Sequence, residues 1–134
     1  MILEVSYVAI YAVIGGILLW SASQLQVFLA TTPVIADEAC LARFKAVARR
    51  DMHLALLSIG LMTLGSFLGI AVIVRHGIRG GIGVVLMNVL FYAGARHHKA
   101  KETRARSLEA SSPQLAEAHR RVSATWVKKA LPDF

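Results

Sequence analysis

The chain has 134 residues, 56% of them hydrophobic, and a mean hydropathy of +0.57. That is too apolar for a water-soluble or disordered protein of one domain's length. Lys and Arg number 15 against 8 Asp and Glu, for a net charge of +7, and every one of these charges falls outside three stretches, 5–36, 52–74 and 80–95.

The membrane is therefore the solvent for most of this sequence, and the fold class is an all-α integral membrane protein. The first stretch follows Met1-Ile2-Leu3-Glu4. This start is acidic rather than basic, and the apolar run behind it is too long for a cleavable signal peptide, so it reads as a retained span. A hydrocarbon core about 30 Å thick takes about 20 helical residues, which the first two stretches supply; the third, at about 24 Å, is short. Gly77 and Ile78 can lengthen it, and Arg79 and Arg96 can snorkel to the two interfaces. The spans are placed at about 5–29, 52–74 and 78–95.

Thr31-Thr32-Pro33 closes the first span, with Thr32 as the cap and Pro33 as the first residue of a new helix. Residues 33–50 then read as an amphipathic helix. Val34, Leu41, Phe44 and Ala48 lie near one face, with Glu38, Arg43, Lys45 and Arg49 elsewhere. Such a segment lies in the interface with its apolar side toward the acyl chains; the alternative is a straight continuation into the second span. Cys40 is the single cysteine, which excludes an intrachain disulfide and a cysteine metal cage.

Span 2 carries Gly65-Ser66-Phe67-Leu68-Gly69, and Ser58, Met62, Gly65, Gly69 and Val72 form one stripe. Gly80, Gly83, Met87 and Gly94 repeat the pattern in span 3. Small residues at this spacing let helix backbones approach closely. With Ala12 and Gly16 in span 1, three spans with such faces exceed the needs of one internal contact, which points to larger integral membrane subunits as partners; the alternative is a compact three-helix bundle that uses its glycines internally. Asn88, central in span 3, requires a hydrogen bond from another helix. The helix-interface candidates are therefore Ser58, Gly65, Gly69, Gly80, Gly83 and Asn88.

Beyond span 3, residues 96–106 are polybasic and suited to anionic lipid headgroups. Ser112 and Pro113 then open a second amphipathic helix, about 113–130. Leu115, Ala118, Val122, Trp126 and Ala130 share one face, and Glu117, Arg121 and Lys128 share the other. Residues 1–95 form the membrane domain and 96–134 a basic tail. That tail is expected to dock on a partner through Trp126, Leu115 and Val122, rimmed by Arg120 and Arg121; the alternative is that this helix lies on the membrane surface.

Basic residues on alternate sides of the membrane total 13 and 2: Arg75 and Arg79 stand alone on one side, and the 43–50 and 96–134 segments share the other. This places the N-terminus outside and both amphipathic helices in the cytoplasm. It also accounts for the basic composition without nucleic acid, for which no aromatic-interleaved motif is present. His53, His97 and His98 lie near the same interface, the arrangement by which bundles hold haem or pigment. No acid or cysteine is placed by the sequence to complete a metal set with them. Phosphate loops, intramembrane carboxylate pairs and nucleophile settings are also missing, so no catalytic residue is assigned. The expectation is a non-catalytic accessory subunit of a larger membrane complex. The plan of three spans with a basic tail also resembles the layout of some phage holins, which implies a self-assembling pore as the alternative. A cofactor-carrying subunit is the third reading.

Overall fold

The computed structural model covers residues 1–134 and is entirely helical apart from short connectors. Helix α1 spans Ile2–Thr31, α2 Glu38–His76, α3 Ile78–Arg106 and α4 Pro113–Lys128. The first three are long and apolar enough to cross a membrane, and they pack side by side. Their outward side chains, among them Val13, Phe67, Val85 and Leu86, suit hydrocarbon.

The α2–α3 turn depends on Gly77, whose φ of 57° makes it the one residue with positive φ in the chain. That conformation costs a glycine nothing and most other residues strain. Its N–H donates to the Ile73 carbonyl at 2.7 Å, which closes α2 and leaves α3 to start one residue later. Just past the turn α3 runs tightly against α2. A Cβ on Gly80 would lie 2.6 Å from the Val72 carbonyl oxygen.

Two expectations need correction. Residues 33–50 do not form a separate interfacial helix. Residues 38 to 50 are instead the first part of the 39-residue helix α2. No Pro or Gly interrupts the chain between 38 and 59, so nothing breaks the helix before the apolar stretch begins. The apolar stripe Leu41, Phe44 and Ala48 is present and buried, but it faces the rest of the protein rather than lipid. Nor does Thr32-Pro33 start a helix. The helix begins at Glu38, where the Asp37 side chain accepts from the Cys40 N–H at 2.7 Å.

The reason lies in the connector before it. Ile35 is fully buried and pairs with the segment preceding α4. Its N–H donates to the Glu109 carbonyl at 2.8 Å, and its own carbonyl accepts from the Ser111 N–H at 3.0 Å. Helical geometry at residues 33–36 would break this pairing. The two connectors thus fasten together, and α4 starts as its sequence implies, with Ser112 accepting from the Leu115 N–H and Pro113 in first position.

The core has two parts. In the apolar half Tyr7, Tyr11 and Val72 pack with Leu68, Val84 and Phe91. At the end carrying α4 a larger cluster joins Leu25, Phe28, Ile35, Phe44, Ala48, Met52, Val122 and Trp126. Gly80→Ala should cost about 1–3 kcal/mol of stability, read as a lower thermal midpoint of the detergent-solubilised protein, because a backbone carbonyl stands where its Cβ must go. Gly83→Ala, with nothing within 4 Å of the added atom, should leave the midpoint unchanged or raise it.

Candidate functional site at the Asp51 carboxylate

Asp51 directly precedes the charge-free part of α2, yet only 5% of it is exposed. The helical spacing of Leu41, Phe44 and Ala48 carries on to position 51 and turns this carboxylate inward with them. A buried carboxylate is costly unless it is fully hydrogen-bonded, and here it is. Its Oδ1 accepts from the Ser21 hydroxyl of α1 and lies 2.8 Å from His98 Nε2 of α3. Its Oδ2 accepts from the Trp126 indole N–H of α4 at 3.1 Å. One side chain therefore joins all four helices. Beside it Glu102, also buried, accepts from Lys99 at 2.8 Å and pairs with Arg106 at 3.1 Å.

Of the three histidines considered for cofactor ligation, only His98 turns inward, with 13% of its side chain exposed. His53 is exposed, its Nδ1 lying 2.7 Å from the Arg49 carbonyl, and His97 is exposed on α3. The fold instead brings acids to His98, which sequence spacing did not suggest. Donor atoms of Asp51, His98 and Glu102 lie within 4.8 Å of one another, near enough to surround a divalent cation. All three already have partners in the protein, with Lys99 and Arg106 balancing Glu102, so the arrangement works as a clamp without an ion.

The helix-interface candidates are placed within the chain in several cases. A Cβ on Gly65 would sit 3.1 Å from the Tyr11 ring, and one on Gly69 would sit 3.2 Å from Tyr7. These glycines, with Gly80, bring the chain's own helices together. Asn88 accepts from the Tyr11 hydroxyl at 3.2 Å and donates to the Val84 carbonyl at 2.8 Å. Gly83 meets nothing, and the enclosed Ser58 hydroxyl has no partner.

The tail helix is a third correction. Val122 and Trp126 are buried in the chain's own core, with Leu115 packed against it, so the apolar stripe of α4 is covered by α2 and α3 and is not open to a partner. Arg120 and Arg121 stay exposed and pair with Glu117; Arg121, and Arg120 with it, hold the Glu117 carboxyl below its usual range. No protein-family model, curated protein or solved structure matches this chain.

A cavity of about 380 Å³ opens beside the cluster, between the α4 end and the apolar half. Asp51, His98 and Trp126 line its polar end, and Ile17, Met62 and Phe91 its apolar end.

Removing Asp51 strands the Ser21, His98 and Trp126 groups, so Asp51→Ala should destabilise the α4 end by about 3–5 kcal/mol. Maleimide labelling of Cys40, the sole and buried cysteine, should then change from slow to fast; equal rates in wild type and variant would show that Asp51 does not hold the tail. The buried His119 gives a pH response. It packs on Phe44 with ring centroids 4.4 Å apart, and burial lowers its pKa from the ordinary 6.5. As pH falls the unfolded tail takes up this proton before the folded tail does, so docking stability drops below about pH 6.5. Measured against a free thiol at the same pH, which itself slows as its thiolate is lost, Cys40 labelling should gain over that range more in wild type than in His119→Phe.

Proposed function

We propose that this chain is a non-catalytic accessory subunit of a larger membrane assembly, with its N-terminus outside and its tail in the cytoplasm. The observation that carries the reading is the folded tail. With its apolar stripe turned inward, α4 leaves Arg120, Arg121 and Lys128 exposed, and the Asp51 clamp fixes this basic face relative to the spans. A rigid basic platform on a membrane anchor suits docking on an acidic surface of a partner subunit or on anionic headgroups better than it suits turnover. The polar groups around Asp51 hold one another, each satisfied by a partner from the chain itself.

Within the bilayer the partner would be another set of helices. Gly16 on α1, Gly60 on α2 and Gly83 on α3 have nothing within 4 Å of an added Cβ and are exposed. They leave notches in the outer surface where a second backbone can come close. The orientation rests on the basic asymmetry.

Reporter fusions should read cytoplasmic at residue 45 and at the C-terminus, and external at residue 77. Purified in mild detergent, the chain should carry other membrane subunits in fixed stoichiometry. Gly16→Leu or Gly83→Leu should release them without changing the chain's own thermal midpoint. An external C-terminal reporter, or recovery of the chain only as a homo-oligomer, would contradict the proposal.

A further inference from the structure

The cavity beside Asp51 has one feature that the clamp does not explain. Hydroxyls in helices that lack another partner ordinarily return their hydrogen to a carbonyl one turn back. Thr31, Thr63 and Ser66 do so here, at 3.0, 3.0 and 2.9 Å. Ser58 does not. It is 8% exposed, its oxygen is enclosed and without a partner, and it lines the cavity. Of the enclosed side-chain polar atoms left unpaired, Ser58 Oγ is the one belonging to this cavity's wall. A buried polar group with no partner is unfavourable, and a ligand that accepts its hydrogen bond removes the defect.

The wall specifies the ligand's chemistry. At about 380 Å³ the cavity falls in the range of small-molecule sites. Its apolar end lies among Ile17, Met62 and Phe91 in the spans, so an apolar tail would extend into the bilayer region. Its polar end holds two carboxylates, which disfavour an anionic head, and Lys99 and Lys129, which disfavour a cationic one. These groups already have partners, Asp51 in Ser21, His98 and Trp126, Glu102 in Lys99 and Arg106, and Lys129 in Asp133. What fits is a neutral head bearing a hydrogen-bond acceptor. Phe91 and Trp126 in the same wall offer aromatic surface to a flat ring.

We propose that this cavity is a binding site for a quinone-type amphiphile, a neutral ring with carbonyl acceptors on an apolar tail, with Ser58 donating to a ring carbonyl. The site is independent of any partner subunit, and Trp126 reports on it directly.

The test uses the full-length protein in detergent as Trp20→Phe, which leaves Trp126 as the only tryptophan. Titration with decylubiquinone should quench Trp126 saturably. Ser58→Ala should weaken half-saturation about fivefold, the loss expected for one neutral hydrogen bond, while leaving the ligand-free thermal midpoint equal or higher because an unpaired hydroxyl is gone. Ile17→Phe, which fills the apolar end, should weaken it as well. Quenching that rises linearly without saturation, or half-saturation that is the same in wild type and both variants, would overturn the proposal. So would displacement of the quinone by oleate at equal concentration, since the site would then prefer an anionic amphiphile.

Discussion

The Asp51 carboxylate determines how the rest of this protein is arranged. It takes donors from α1, α3 and α4 while standing on α2, and no apolar side chain could replace that. A carboxylate in such surroundings is stable only while each oxygen is occupied, so the four helices must meet in one register. The tail helix then has a fixed position. Phe44, Val122 and Trp126 add area around the cluster, and area alone would tolerate sliding by a turn. The directional bonds to one side chain do not.

The apolar half is held differently. Within lipid there is no hydrophobic gain from helix contact, so close packing and a few polar bonds must suffice. Gly65 and Gly69 accept the rings of Tyr11 and Tyr7, and Gly80 meets the backbone of α2. The Tyr11 to Asn88 bond ties α1 to α3. The cavity lies where these two regimes meet, with polar groups on one side and lipid-like walls on the other.

Much of this architecture was legible in the sequence because it follows from solvent and periodicity. Charge-free stretches marked the three spans, and Ser112-Pro113 marked the start of α4. The pattern Leu115, Val122, Trp126 identified the buried side of α4, though not what covers it. The covering surface comes from the 38–50 part of α2, whose apolar stripe is equally plain in the sequence but fits lipid as well as protein. Two amphipathic faces in one short chain can satisfy each other, and periodicity gives no indication of which surface each one meets. Asp51 was hidden for a related reason: beside Arg49 and Arg50 it reads as one more interfacial charge. The available signal was its register with Leu41, Phe44 and Ala48, which turns it to their side. The pairing of Ile35 with Ser111 joins segments far apart in the chain and has no local signature, whereas the Thr32-Pro33 cap signal is local.

The central claim is that α4 is an integral part of the membrane bundle, locked through Asp51, and not a mobile tail. Hydrogen–deuterium exchange on the full chain in lipid nanodiscs tests this most directly. The account predicts that amides of residues 116–128 exchange as slowly as those of residues 40–52, and that both segments lose protection together in Asp51→Ala. Rapid exchange across residues 116–128 in the wild-type protein, with residues 40–52 still protected, would contradict it.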